Sequence, residues 1–317
     1  MEGMKQSVWR EKMIIDAHCD ALYKMWKYEL PFESSEHLQV NYQKWMDSPV
    51  KVQCFAIFVP PEVPEEAQFS AALKMANLFY EQIIDPYDHI KLIRTSSDIE
   101  TLKKGEKGAM LTLEGCHVIG SDLYKLKTLL RLGVKAVGLT WNQANAVCDG
   151  IEEQRGAGLS SFGYEVVKLL NEEKVWTDVS HLSYQGFWDV IDVAAFPMAS
   201  HSNSIALASH KRNLDEHQIQ QLIKNEAWIG VTFVPDFLND EKEATYLDVL
   251  GHIAYYISVG AEDCLGIGSD FDGTSEFVRG LFDPTDYPAF YQELLHRWPG
   301  DVVEKITSQN FIKKFPC

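Results

Sequence analysis

Long apolar runs, paired cysteines and basic stretches are scarce in this sequence. None of its apolar runs approaches the roughly 18 residues that a membrane-spanning helix requires. The 317 residues include only six cysteines and no Cys-x-x-Cys pair. Several of these cysteines lie in apolar runs, where cysteine packs as a small hydrophobic residue. So few cysteines in a chain of this length indicate a reducing compartment.

Positive charge is also in short supply. The chain has 29 Lys and Arg against 46 Asp and Glu, a net charge of −17, and no basic stripe that would favour a nucleic-acid partner. Residues 1–13 lack the apolar segment of a signal peptide, and the C-terminal Phe315-Pro316-Cys317 lacks a lipid-anchor tail. These absences predict a cytoplasmic protein that does not associate with membranes.

Eight short apolar runs alternate with mostly helical segments along the chain. The runs cover 13–20, 52–59, 108–114, 134–141, 175–180, 196–201, 227–234 and 264–270. Helical spacing or capping residues occur between most of them, including a capping box predicted at Ser97 and Glu100. The alternation continues without a linker and predicts one (β/α)8 TIM barrel over residues 1–317. A doubly wound open sheet would require a Gly-rich phosphate turn, which is absent.

Metal-binding residue types follow the predicted strands at the carboxyl ends, where the active sites of such barrels lie. In an extended chain, residues two apart face the same side, so the first run directs His18 and Asp20 to one point. The other runs end near Glu114, His181, His201 and Asp270. Each residue alone fits an ordinary cap, core histidine or turn aspartate. Together at one rim they favour a divalent metal site.

The set of imidazoles and carboxylates suits zinc or a similar ion. If Glu114 bridges two ions, His18, Asp20 and Glu114 would bind one of them. Glu114, His181 and His201 would bind the other. Two ions ~3.5–4 Å apart can hold a bridging hydroxide at neutral pH and polarise a carbonyl oxygen.

Asp270, on the last strand, is placed to act as a general acid or base, although Asp-Phe-Asp-Gly also fits a turn. His117 lies near Glu114 in the sequence but is not expected to bind metal. Ordinary roles are expected for the remaining histidines, which are His37, His89, His210, His217, His252 and His296.

The sequence resembles the membrane (renal) dipeptidases and their bacterial relatives, which are amidohydrolase-like metallo-barrels. The shared motifs occur in order along nearly the whole chain: IDAHCD at 15–20, LEGCH at 113–117, GLTWN at 138–142, GLSSFG at 158–163, DVSH at 178–181, SHS at 200–202, KRNL at 211–214 and GSDFDG at 268–273. The resemblance implies a soluble enzyme of the bacterial type with two zinc ions per chain. It also implies hydrolysis of dipeptides, including those with a C-terminal D-residue, and a homodimer, which is common in the family.

The same resemblance implies a role for each site residue. Asp270 would carry the proton, and Arg212 would bind the substrate's carboxylate, for which its planar guanidinium is suited. From its position alone, Arg212 would be a surface residue before a helix. The zinc ligands would be His18, Asp20, Glu114, His181 and His201.

Trp141 departs from the family pattern. The vertebrate enzymes have a histidine here, which contacts the substrate and is thought to help stabilise the oxyanion. Tryptophan donates one N–H and cannot carry a proton, and loss of such a donor can cost ~10²–10³ in rate. Trp141 could instead narrow the pocket toward small side chains, or simply cap the barrel core.

Two other functions remain open from the sequence. Deaminases and lactonases of the amidohydrolase type commonly begin with His-x-His and often use a carboxylated lysine. This chain has His-x-Asp, and Lys135 lies at the beginning of its strand. The second alternative is a metal-binding barrel without catalysis, which Asp270 and Arg212 argue against.

Overall fold

Eight parallel strands close into a barrel. The computed structural model describes residues 13–241 and 243–317, so the prediction about a signal peptide falls largely on residues outside the described part. Around the barrel the order is β1 (Ile14–Asp16), β2 (Val50–Phe58), β4 (Lys107–Glu114), β5 (Val134–Gly138), β6 (Trp176–Asp178), β7 (Pro197–Ala199), β8 (Trp228–Val231) and β9 (Leu265–Ile267). β1 pairs with both β2 and β9. The predicted (β/α)8 barrel is therefore confirmed, and the open sheet is excluded.

A ninth strand, β3 (Ile90–Leu92), was not predicted from the sequence. It pairs with Lys107–Ala109 at the beginning of β4, whereas β5 pairs with β4 only from Leu111 onward. β3 thus extends the sheet at the end of the barrel opposite the metal-binding residue types. Its three residues are too few to give a periodic pattern.

Helices follow most of the strands and cover the outside of the barrel. They are α1 (Ala21–Tyr28), α2 (Tyr42–Met46), α3 (Glu65–Leu78), α4 (Ser96–Glu100), α5 (Leu123–Arg131), α6 (Ser161–Glu172), α7 (Tyr184–Val193), α8 (Glu216–Lys224), α9 (Tyr246–Ser258), α10 (Tyr287–Arg297), α11 (Gly300–Glu304) and α12 (Asn310–Lys314). Two π-helical segments, Phe79–Ile84 and Lys305–Gln309, continue α3 and α11. No described helix combines the length and the apolar character needed to cross a membrane.

The predicted capping box at Ser97 and Glu100 is wrong by two residues. Thr95 is the N-cap of α4, since its side chain accepts from the N–H of Asp98 while the Asp98 carboxylate accepts from the N–H of Thr95. Asp98 takes the part that was predicted for Glu100, two residues earlier in the chain. The helix thus begins at a local capping motif two residues before the predicted one.

Aromatic side chains close the amino-terminal end of the barrel. Trp176 and Trp228 begin β6 and β8, and both are buried. Phe311 of α12 contacts Trp176 at 4.8 Å and Trp228 at 5.3 Å between ring centroids. A Cβ at Gly266 would overlap the Trp228 ring, so glycine is required there. This end of the barrel is therefore filled by side chains, whereas the predicted metal-binding residues lie at the carboxyl ends of the strands.

Candidate metal centre

The predicted ligands lie together just beyond the strand ends, at the open end of the barrel. His18 and Asp20 follow β1, and Glu114 is the last residue of β4. His181 and His201 follow β6 and β7. All five side chains are buried. The fold therefore brings residues from four strands to one point.

Asp16 holds the ends of β1 and β9 side by side. Its Oδ1 accepts from the N–H of Ser269 at 2.9 Å, and its Oδ2 accepts from the Ser269 hydroxyl at 2.7 Å. The Tyr287 hydroxyl donates to the same Oδ2 at 2.9 Å. Since Ser269 precedes Asp270, these bonds fix the backbone that carries His18 against the backbone that carries Asp270.

The two oxygens of Glu114 face different histidines. Oε2 lies 3.3 Å from His18 Nε2, whereas Oε1 lies 2.9 Å from His181 Nε2 and 3.9 Å from His201 Nε2. Burial opposes ionisation, but the imidazoles of His18 and His181 outweigh it and hold the pKa of Glu114 well below its usual range. An ionised carboxylate with one oxygen toward each side has the geometry of a bridging ligand.

Asn142 orients the ring of His181. The Nδ1 of His181 lies 2.7 Å from the amide oxygen of Asn142. Because an amide oxygen only accepts, Nδ1 carries the proton and Nε2 keeps its lone pair. Burial and the charge of Arg212 lower the pKa of His181 to about 4, so the ring is neutral near pH 7. Neutral imidazole is the form that binds metals.

A serine orients His201 in the same way. The Ser200 hydroxyl donates to Asp178 Oδ2, so its oxygen accepts from His201 Nδ1 at 2.7 Å. Nε2 of His201 therefore also presents a lone pair. Burial and the neighbouring His18 and His181 lower the pKa of His201 well below its usual value.

The arrangement of these atoms fits a cation. The Nε2 atoms of His181 and His201 face each other at 2.9 Å, and two buried lone pairs in this position are unfavourable without a positive charge between them. Among the described residues, His18 Nε2 and Asp20 Oδ1 are buried without a hydrogen-bond partner. Nitrogen and carboxylate donors of this kind suit zinc and similar divalent ions.

Two groups of three residues could each hold an ion, and His18 belongs to both. Within each group the donor atoms lie within 4.8 Å of one another. One contains His18, Glu114 and His201, and the other contains His18, Asp20 and Asp270. The sequence placed Asp270 apart from the ligands, as a proton carrier. The structure places its carboxylate among them, with Oδ1 3.7 Å from His18 Nε2.

Asp270 has a backbone conformation that its side chain disfavours. Its φ is 66°, in the left-handed region, where non-glycine residues are uncommon and cluster at functional sites. A Cβ at Gly273 would clash with Asp270 Oδ1 and lie 2.5 Å from Asp20 Oδ2, so a larger residue there would displace these carboxylates. Burial, with the charges of Asp20 and Glu114, raises the pKa of Asp270 well above its usual value, against the opposing effect of His18.

Arg212 is buried, not on the surface as its position alone would indicate. It is 5% exposed, and its guanidinium lies over the Phe237 ring, 5.4 Å from the centroid. Nη2 donates weakly to the carbonyl of His201 at 3.4 Å, and Nε has no hydrogen-bond partner within the described ranges. Burial lowers the pKa of Arg212 to about 10, which leaves it charged at neutral pH.

A cavity of about 280 Å³ is lined by three of the candidate ligands, Asp20, Glu114 and His181, together with Arg212, Asp270 and Trp141. Trp141 is half-buried, and its ring centroid lies 5.2 Å from that of Phe58 and 6.3 Å from that of His181. Trp141 belongs to neither of the hydrophobic core clusters. The alternative that it caps the barrel core is therefore not supported.

Several contacts at the site were not recognised from the sequence. Asn142 and Ser200 lie within the motifs GLTWN and SHS, but their hydrogen bonds to histidines depend on neighbouring strands. His210, for which an ordinary role was expected, lines the cavity and stacks on Phe237 at 4.5 Å. His117 contacts the carbonyl of Val59 at 2.7 Å through Nε2, which engages it away from the ligands.

Comparison with known proteins places this site in a family. The sequence profile of Membrane dipeptidase (Peptidase family M19) matches residues 3–316. Dipeptidase tcpJ of Claviceps purpurea (strain 20.1) is 31% identical over 240 residues, which are 74% of this chain and 56% of that protein. This chain thus spans little more than half the length of that curated relative.

Solved structures of similar fold cover almost the whole chain. The crystal structure of dipeptidase AC, a metallopeptidase of family M19, has a TM-score of 0.88 at 25% identity, covering 96% of this chain and 98% of that one. A metallopeptidase from Rhodobacter sphaeroides, bound to a phosphinate mimic of the dipeptide L-Ala-D-Ala, has a TM-score of 0.89 at 24% identity with the same coverage. With the profile matched from residue 3 to residue 316, the chain belongs to the membrane dipeptidase family, peptidase family M19.

Proposed function

We propose that this protein is a zinc-dependent dipeptidase with two ions per chain and Glu114 bridging them. Four buried ligand side chains carry the proposal. His18 Nε2 and Asp20 Oδ1 have no hydrogen-bond partner in the described chain, and Nε2 of His181 faces Nε2 of His201. His18 and Asp20 would hold one ion with Glu114, and His181 and His201 the other. When bound, the ions supply a water activated at neutral pH and a Lewis acid for the peptide carbonyl.

Arg212 and Asp270 have the remaining roles in this proposal. The Arg212 guanidinium, whose Nε has no partner in the described chain, binds the substrate's carboxylate and fixes its orientation. Asp270 accepts a proton from the attacking water and transfers it to the amide nitrogen as the C–N bond breaks. Two free amino acids leave. Asp16 and Gly273 act only by holding Asp270 in position.

The substrate class includes dipeptides with a C-terminal D-residue. The Rhodobacter sphaeroides relative binds a phosphinate mimic of L-Ala-D-Ala. This chain has a similar barrel and an arginine of its own beside the candidate metal-binding residues, which supports a comparable ligand here. Trp141, in place of the family's histidine, lines the cavity beside the ring of His181 and carries one indole N–H donor. This N–H is available to a substrate oxygen.

Metal content and hydrolysis of a small panel test the proposal. Leu-D-Ala, Ala-D-Ala, Ala-Ala and an N-acetylated dipeptide would be assayed with the zinc-loaded protein and with Asp270→Asn. We expect about two zinc ions per chain, cleavage of the free dipeptides, and a loss of about 10²–10⁴ in kcat in the variant. Asp88→Asn, an exposed aspartate at the other end of the barrel, is the matched control and should retain activity.

The outcomes separate the parts of the proposal. Cleavage of the L,D but not the L,L dipeptides would point to cell-wall peptides as the source of substrate. Two ions without any cleavage would contradict the dipeptidase function and leave another amide or ester substrate. One ion or none would contradict the binuclear centre itself.

A deaminase or lactonase with a carboxylated lysine is not favoured by the geometry. Lys135 donates to the carbonyl of Lys174 at 2.9 Å. The buried Lys107 donates to the carbonyls of Ser48 and Val50 at the beginning of β4. Both lysines lie at the opposite end of the barrel from Glu114.

The proposal includes three further properties: the location, the domain organisation and the oligomeric state. A cytoplasmic location is supported by six cysteines that are all free, as expected in a reducing compartment. A single catalytic domain over residues 1–317 is supported by the barrel's continuity through the described chain. A homodimer is supported only by the family resemblance. Gel filtration with light scattering would test the last.

A further inference from the structure

One side of the cavity is formed by three aromatic rings. Tyr23 of α1 packs edge-on against Phe58 at the end of β2, with ring centroids 5.4 Å apart. Phe58 in turn contacts Trp141 at 5.2 Å. All three line the same cavity as Asp20 and Glu114. We call Tyr23, Phe58 and Trp141 the aromatic wall.

The aromatic wall lines the cavity and contributes little to the hydrophobic core. Phe58 and Trp141 belong to neither hydrophobic core cluster, and Tyr23 lies only at the edge of one. Tyr23 and Trp141 are half-buried. Apolar rings that face a polar cavity without covering one another fully leave surface that a ligand can bury.

The same cavity also contains charged and polar side chains. Arg212, His210 and Asp236 line it, and Arg212 is close enough to His181 for its charge to lower the pKa of that imidazole. Ring contacts then lead from His181 to Trp141, from Trp141 to Phe58, and on to Tyr23. The wall thus begins beside His181 and continues through Phe58 to Tyr23 on α1.

We infer that the aromatic wall binds the side chain of the substrate's N-terminal residue and selects apolar, above all aromatic, side chains there. This rests on the proposed dipeptidase function, in which Arg212 holds the C-terminal carboxylate and the N-terminal residue therefore lies along the wall. In this inference Trp141 provides a contact surface for large side chains, in place of the alternative in which it narrows the pocket toward small ones. An aromatic side chain buried against three rings is expected to raise kcat/KM by about 10- to 100-fold over glycine.

Selectivity, measured as a ratio, tests the inference. kcat/KM would be determined for Phe-D-Ala, Leu-D-Ala and Gly-D-Ala with the zinc-loaded enzyme, and we expect Phe-D-Ala to exceed Gly-D-Ala by at least about 10-fold. Phe58→Leu and Tyr23→Ala should each reduce that ratio by about 3- to 10-fold. Trp141→Phe, which keeps a ring, should change the ratio less than Trp141→His.

Tyr124→Ala is the matched control, because Tyr124 is the most exposed large hydrophobic residue, on α5 outside the cavity. It should leave the ratio unchanged. Thermal unfolding of each variant verifies folding, and Phe58→Leu is conservative enough to keep the test valid if Tyr23→Ala fails to fold. Equal rates for Phe-D-Ala and Gly-D-Ala, or wall variants that slow both equally, would overturn the inference alone. No cleavage of any dipeptide would refute the proposed function and this inference with it.

Discussion

At the scale of single residues, His201 depends on a serine for its orientation. The Ser200 oxygen accepts from His201 Nδ1 because its own proton is donated to Asp178. This leaves Nε2 free for a metal ion. We expect Ser200→Ala to weaken zinc binding by about 10- to 100-fold, since an outer partner that fixes an imidazole tautomer typically contributes this much. Competition titration against a chelator measures the change.

The matched control for this prediction is Ser258→Ala. Ser258 also donates its hydroxyl, to the carbonyl of Tyr255 at 2.7 Å, but on an exposed helix end far from the ligands. It should bind zinc as the wild type does. Equal zinc affinity in the Ser200 and Ser258 variants would show that the hydrogen bond to His201 has no influence on the metal.

Residue types at the strand ends could be predicted from the sequence, but their partners could not. His18 and Asp20 follow an apolar run, so their placement depends on local periodicity alone. The contact of His181 with Asn142 joins the segments after β6 and β5, and the Ser200 hydroxyl that accepts from its neighbour His201 is oriented by Asp178 of β6. Arg212 was recognised only through the family motif, because its burial comes from Phe237 on the next loop.

At the scale of elements, most strands are shorter than the apolar runs that predicted them, although β2 and β4 are one residue longer. The eighth run covers 264–270, but β9 ends at Ile267. Beyond it, Asp270 and Asp272 have left-handed φ values of 66° and 70°, as His181 does after β6 at 69°. Periodicity cannot reveal where a non-glycine residue leaves the strand, because tertiary bonds such as those of Asp272 to the backbone N–H groups of Gln39 and Val40 stabilise the turn.

His252 connects α9 to the loops after β7 and β8. Its Nδ1 accepts from the N–H of Ser204 at 3.2 Å, and its Nε2 lies 2.9 Å from the carbonyl of Leu238. Acceptance from Ser204 requires the neutral ring, whose Nε2–H donates to Leu238, and burial lowers the pKa of His252 from 6.5 to about 4. The folded state therefore binds fewer protons than the unfolded state between these values, and it loses stability as the pH falls from 6.5 to 4.

We expect His252→Gln to remove this pH dependence. The variant should be less stable than the wild type near pH 7.5, and the difference should shrink by about 3 kcal/mol by pH 4. Urea unfolding of both proteins between pH 4 and 8 measures the difference, in which the titration of all other groups largely cancels. A difference that stays constant with pH would show that His252 keeps its ordinary pKa in the fold.

At the scale of the whole molecule, the barrel could be predicted because the alternation of apolar runs and helices covers the chain. The cavity could not, because its walls come from distant segments. Tyr23 lies on α1, Phe58 on β2 and Trp141 beyond β5, and no local pattern relates them. Only the ring contacts in the structure show that these three residues form one wall.

The proposed metal centre would also link distant parts of the molecule, so bound ions should stabilise the whole fold. The candidate ligands follow β1, β4, β6 and β7, and unfolding separates them. An ion that binds only the folded state at about 100 times its Kd adds about 2.7 kcal/mol, so a chelator should lower Tm by about 5 °C. Thermal unfolding with and without chelator, followed by zinc addition to restore Tm, measures this. Glu114→Gln, which weakens both predicted ion sites, should respond less. The same Tm with and without zinc in the wild type would contradict a metal shared by these strands.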